Sequence, residues 1–206
     1  MTAFTTRSSK SRPDGLARRI AATLLFFAFS LFSLAAGAGE IKVKQAELVA
    51  GEEAWLVNAE FAIALGQRLE EVIDRGVPLY FVAEFALTKP RWYWADEHVA
   101  GKSQTWRLAY NALTRQYRLS AGALHQNFAT LEEALGVLAR LRDWPVADKA
   151  ALKSGESYSA ALRLKLDLTQ LPKPLQVDAI GSKGWNIKAE IRRWNFTPSA
   201  AEGAPK

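Results

Sequence analysis

An alternation of apolar and polar residues late in the chain constrains its fold more than any other feature. From Tyr158 to Leu168 every second residue is apolar, and the positions between include Arg163, Lys165 and Asp167. A period of two over these eleven positions is typical of a β-strand with one buried face and one wet face. The chain therefore contains at least one long strand of a half-buried sheet.

Similar patterns predict further strands. A turn at Gly51-Glu52-Glu53 separates two of them and predicts a hairpin, and the phase of the last strand changes at Arg192-Arg193, which predicts a β-bulge. The predicted strands cover residues 41–44, 54–65, 77–87, 91–97, 105–111, 116–120, 158–168 and 185–191.

Two segments have helical spacing instead. Residues 66–75 place apolar side chains on one face ahead of Gly76, and residues 130–142 begin with the capping box Thr130 and Glu133 and should stop at Trp144-Pro145. The proline-containing residues 171–176 are interpreted as a rigid connector between strands. The predicted class is mostly β, an antiparallel two-sheet β-sandwich with two short helices.

The N-terminal 38 residues have the pattern of an export signal. Five basic residues and one acid precede an uncharged run from Ile20 to Ala38, which ends in Ala36-Gly37-Ala38, the small-residue pattern of a cleavage site. The run is 19 residues long, so an uncleaved membrane anchor remains an alternative. Both interpretations place the rest of the chain outside the cytoplasm, in the periplasm. We predict one β-rich domain over residues 39–197 and a disordered tail over 198–206.

Charge and cysteine content exclude several classes of function. Removing the five basic residues and the one acid of the signal leaves 22 basic residues against 20 acids, from totals of 27 and 21. The remaining chain is nearly neutral, which argues against nucleic-acid binding. It contains no cysteine, which excludes disulfides, thiolate catalysis and cysteine metal sites.

Five motifs occur along the chain in a recognisable order. They are GVPLYF at 76–81, RWYWADE at 91–97, LTRQYR at 113–118, TLEEAL at 130–135 and LPKPLQ at 171–176. Together they resemble the proteobacterial family called domain of unknown function 4390, over nearly all of residues 41–197. The resemblance implies an exported or membrane-tethered protein without an assigned activity. Genes of the family often sit beside one for a membrane sensor histidine kinase, which implies an accessory or signalling role. It carries over no catalytic residue.

The most distinctive candidate binding residues are Arg91, Trp92, Tyr93 and Trp94. On a strand, Trp92 and Trp94 would share one face. Paired indoles beside a cation suit a groove for glycans, peptidoglycan fragments, lipids or peptides. Core packing is the simpler interpretation, because tryptophan dominates the energetics of small β cores. We expect core packing.

A second candidate comprises Arg115, Gln116 and Arg118. Three long polar side chains at the start of a strand suit an anionic group or a partner's carboxylate. A solvated edge strand, where basic residues discourage aggregation, explains the same pattern and is the expected alternative.

Neither a catalytic nor a metal-binding constellation is evident. Asp96-Glu97-His98 supplies ligand types, but three consecutive residues cannot all converge on one ion, and the other histidine, His125, lies in an unrelated segment. No serine lies in a nucleophile elbow. We therefore expect an accessory protein that is not an enzyme, needs no cofactor or metal, and binds an envelope partner. The alternative is a module for cell-wall glycans or lipids; the sequence identifies no small-molecule ligand.

Overall fold

The computed structural model of the chain describes residues 39–181, 185 and 187–199. The predicted signal at 1–38 lies outside the described residues. Within the described range the chain forms ten strands and three helices. In order, these are β1 (Glu40–Ala50), β2 (Ala54–Ala64), α1 (Gln67–Asp74), β3 (Leu79–Lys89), β4 (Glu97–Asn111), β5 (Gln116–Ala121), β6 (Leu124–Phe128), α2 (Leu131–Leu138), β7 (Arg140–Asp148), β8 (Tyr158–Leu166), α3 (Lys173–Gly181), β9 (Lys188–Ala189) and β10 (Arg192–Phe196).

The strands form two sheets, as predicted. One sheet has the order β7–β2–β1–β9 and the other β10–β8–β3–β4–β5–β6. All pairs are antiparallel except β1 with β9, which is a short parallel pair. Side chains of both sheets meet in one apolar core. The mostly β, two-sheet class is therefore confirmed.

The alternation that predicted β8 is visible in its burial. Ala160, Leu162 and Leu164 are fully buried, whereas the residues between them are partly exposed. The buried face of β8 meets the first sheet, which contributes Trp55 of β2 to the same core. Trp55 in turn packs edge to face against Phe196 of β10, with ring centroids 5.2 Å apart. The core therefore joins the first long hairpin to the last strand.

The predicted helix at 130–142 is correct at its start and wrong at its end. The Thr130 side chain accepts a hydrogen bond from the Glu133 backbone N–H, as a capping box requires. The Glu133 carboxylate accepts its hydrogen bond from the N–H of Ala129, the residue before the N-cap. The helix ends at Leu138, and residues 140–148 pair with β2 as strand β7. Pairing with the open side of β2 outweighs the helical pattern, and Pro145 is tolerated because β7 is an edge strand.

The C-terminal third departs further from the prediction. Residues 173–181 are helix α3, so the expected connector at 171–176 is partly a helix. Pro172 directly precedes the helix, and Pro174 lies in its first turn, where a missing N–H costs no intrahelical hydrogen bond. The long strand expected at 185–191 is reduced to β9, in the first sheet, whereas β10 belongs to the second. The phase change at Arg192 therefore marks a change of sheet rather than a bulge. Pro198 is buried, and its carbonyl accepts a hydrogen bond from the Gly155 N–H.

Candidate functional site

The aromatic motif lies in the loop between β3 and β4, which we call the aromatic loop (residues 90–96). The strand predicted at 91–97 is wrong: β3 ends at Lys89, and β4 begins at Glu97. Pro90 has no N–H to continue the β3 ladder, and Arg91 closes the loop instead. Its backbone N–H donates to the Asp96 carboxylate at 3.4 Å, and its guanidinium pairs with the Glu97 carboxylate. Local polar contacts thus outweigh the alternation.

The expectation that these aromatic side chains are in the core is also wrong. Trp92 is 93% exposed, Tyr93 66% and Trp94 76%. The loop lies beyond the last paired residues of the β3–β4 hairpin, so no second sheet covers it. The Trp92 and Tyr93 rings contact each other edge to face, with centroids 5.0 Å apart. Three large rings therefore project into solvent together.

The shape of the aromatic loop argues against a groove within this chain. A side chain that lines a groove is partly covered by the opposite wall, whereas almost none of Trp92 is covered. The planes of the Trp92 and Tyr93 rings make an angle of 71°, so the two rings do not form a flat stacking platform. The loop is better suited to enter a concave surface supplied by another molecule.

We expect Trp92→Ala to change the free energy of unfolding by less than about 0.5 kcal/mol, because the side chain makes few contacts in the fold. Trp55→Ala is the matched control, since Trp55 is only 1% exposed. It should cost about 3–5 kcal/mol. Urea unfolding followed by circular dichroism measures both, and a Trp92→Ala cost near that of the control would contradict the exposed placement.

The second candidate group lies at the other end of β4. Arg115 occupies the β4–β5 turn with φ 54°, and Asn111 holds that turn by accepting hydrogen bonds from the N–H groups of Leu113 and Thr114. β4 is 15 residues long, so roughly 45 Å of extended chain separates this turn from the aromatic loop. The structure therefore does not bring the two candidate groups together.

Gln116 and Arg118 are not on a sheet edge, contrary to expectation. They belong to β5, which pairs with β4 on one side and β6 on the other. Both side chains are exposed on the outer face of the sheet, and the Arg118 Nε donates to Asn127 Oδ1 of β6 at 3.1 Å. The edge interpretation fails because β6, whose polar sequence gave no strand signal, covers this side of β5.

Tyr117, between these two residues, points the other way and fastens β5 to α1. Its hydroxyl donates to Asp74 Oδ1 at 2.6 Å. Burial, together with the adjacent carboxylate, raises the pKa of Tyr117 to about 12. This contact fixes the start of β5, and with it the positions of Gln116 and Arg118.

Titration of tyrosine absorbance should show one ionisation near pH 12 that Tyr117→Phe removes. Asp74→Asn should lower the pKa of Tyr117, because it removes a negative charge beside the phenolate. The folded pKa lies above the ordinary value of 10.0, so this contribution to stability is complete below pH 10 and falls as the pH rises towards about 12. An unchanged titration in Asp74→Asn would contradict the contact.

Sequence reasoning missed Arg107 and set His125 aside as part of an unrelated segment, whereas the sheet register places both near Arg118. Arg107 pairs with Ser120, which pairs in turn with His125. The alternation around Leu108 could have indicated that Arg107 faces outward. The cross-strand row itself depends on pairing that only the fold establishes.

The described residues also contain a carboxylate pair and a surface depression. The carboxylates of Asp96 and Glu97 both contact Arg91, and the described residues contain no cluster of three or more potential metal ligands. A depression of about 430 Å³ lies between α1 and α2, and its lining includes Ile63, Leu135, Glu70 and Glu132. No helix in the described range is both long and apolar enough to span a bilayer.

The model of the family described as domain of unknown function (DUF4390) matches residues 38–195 of this chain. The chain therefore belongs to that family, which the motif pattern had indicated. No curated protein and no solved structure matches it.

Proposed function

We propose that this chain is an exported, non-enzymatic docking protein of the cell envelope, and that it binds a protein partner through the aromatic loop. The observation that carries the proposal is the joint exposure of Trp92, Tyr93 and Trp94 at the tip of a long hairpin. Tryptophan, tyrosine and arginine are the residues that most often dominate binding energy at protein interfaces. An ion pair between Arg91 and Glu97 restrains the loop, which lowers the entropy lost on binding.

The apolar surface that the aromatic loop could bury against a partner is of the size expected for a reversible interaction. An aromatic side chain buries roughly 150–250 Å², and burial contributes about 25 cal/mol per Å². Three largely exposed rings therefore offer on the order of 10 kcal/mol, against an association cost of about 4–15 kcal/mol. The loop would act as an anchor, and surrounding contacts would have to supply the rest.

The export signal pattern supports an envelope location. The five basic residues before the apolar run would stay in the cytoplasm, and the domain would enter the periplasm, with the signal either cleaved near Gly39 or retained as an inner-membrane anchor. The family resemblance suggests the partner class, the extracytoplasmic part of a membrane sensor histidine kinase. An accessory role of this kind requires no catalytic group.

Photo-crosslinking in intact cells tests the protein-partner function. We expect Trp92→p-benzoylphenylalanine to give one defined adduct with an envelope protein, because the side chain enters the interface. The matched control is Leu113→p-benzoylphenylalanine, since Leu113 is 96% exposed at the other end of β4. Equal adducts at both positions, or no adduct at 92, would refute the proposal; mass spectrometry identifies the adduct.

A second candidate function is binding of cell-wall glycans or lipids, favoured by the two indoles at positions 92 and 94. It predicts that muropeptides or lipid vesicles quench tryptophan fluorescence, and that Trp92→Ala with Trp94→Ala abolishes the change. Tyr80→Phe, which leaves all indoles in place, is the control. Quenching by neither ligand class would eliminate this alternative.

A further inference from the structure

The outer face of the second sheet presents a group of polar side chains that the strand register places together. Leu108 and Leu119 are opposite each other and buried, so their neighbours Arg107, Arg118 and Ser120 project from the other face. β6 adds His125 opposite Ser120. We call this group, Arg107, Arg118, Ser120 and His125, the basic face.

Its positive charge is not neutralised locally. Neither Arg107 nor Arg118 lies in a salt bridge with any of the described residues, and the sequences of β5 and β6 contain no acid. Elsewhere on the same sheet, Glu84 binds both Arg163 at 2.5 Å and Lys165 at 2.6 Å. Arg107 and Arg118 therefore bring two guanidinium groups without an ion-pair partner among the described residues onto adjacent strands of one sheet face.

The spacing of these groups suits a small tetrahedral anion. Directly opposed side chains on neighbouring strands are about 5 Å apart, and diagonal neighbours such as Arg107 and Arg118 about 7–8 Å. Two guanidinium groups can converge across that distance. Ser120, directly opposite Arg107 and two residues from Arg118 on the same face of β5, adds a hydroxyl as a further donor. Asn127 already orients Arg118 through its Nε at 3.1 Å, which leaves the terminal nitrogens free to donate.

We propose that the basic face binds a phosphate group, carried either by a soluble phosphate compound or by a lipid headgroup. Phosphate presents three or four acceptor oxygens in different directions, and so uses donors from two guanidinium groups, a hydroxyl and an imidazole. A planar carboxylate satisfies fewer of them. The site is open to solvent, so its affinity is modest and falls as the salt concentration rises.

A phosphate titration tests this proposal. Inorganic phosphate is added to the protein, purified from cells that express the full chain, and binding is measured by the changes in amide NMR chemical shifts. The variant Arg107→Gln with Arg118→Gln should weaken phosphate binding about tenfold or more, because it removes both charged donors. The control, Arg142→Gln with Arg193→Gln, removes the same charge from exposed positions on β7 and β10. It should change affinity less than about twofold, since any effect is long-range and screened.

Each outcome decides a point. Shifts centred on Ser120 and Asn127 that only the first variant abolishes support the site, and equal weakening in both variants, or no shifts there, overturns it. The variants should fold normally, because all four arginines are exposed. Co-sedimentation with phosphatidylglycerol vesicles that the first variant abolishes assigns the phosphate to a lipid. Phosphate binding without co-sedimentation assigns it to a soluble compound.

Discussion

Burial of alternating side chains between the two sheets is the interaction on which the rest of the structure depends. β8 and β3 lie beside each other inside the second sheet, and their inward residues, such as Leu162, Leu164 and Phe85, meet Trp55 and its neighbours from the first. No disulfide assists this packing, since the chain has no cysteine. Stability therefore comes from apolar burial and strand pairing. The packing of the two sheets covers the inner face of each.

Because the inner faces are occupied, recognition is left to loops and outer faces. The β3–β4 hairpin carries the aromatic loop beyond the paired strands, where Trp92 and Trp94 meet only solvent. At the other end of β4, the outer face carries Arg107 and Arg118 in adjacent rows. The two proposed binding surfaces lie far apart along β4, so occupation of one would leave the other open.

Local sequence patterns predicted helices and strands correctly where an interaction between residues close in sequence determined the structure. The alternation of β8 and the Thr130–Glu133 capping box both have the predicted structure, because burial period and helix capping are local in sequence. The predicted helix was wrong at residues 140–142, whose pattern fits a helix and a strand alike, because pairing with the open edge of β2 makes them the start of β7. The predicted burial of Trp92 was wrong because alternation in the sequence does not reveal whether a second sheet lies opposite the residue.

The sequence by itself determined the mostly β class, the lack of disulfides, the near-neutral domain and the motifs of its family. These properties follow from composition and from short-range periodicity. Only the tertiary structure decided that the aromatic motif is a solvent-exposed loop, that the last two strands join different sheets, and that Arg107 and His125 flank Ser120. Those outcomes depend on contacts between residues distant in sequence, whose pairing depends on which strand edges and faces remain open once the core has formed.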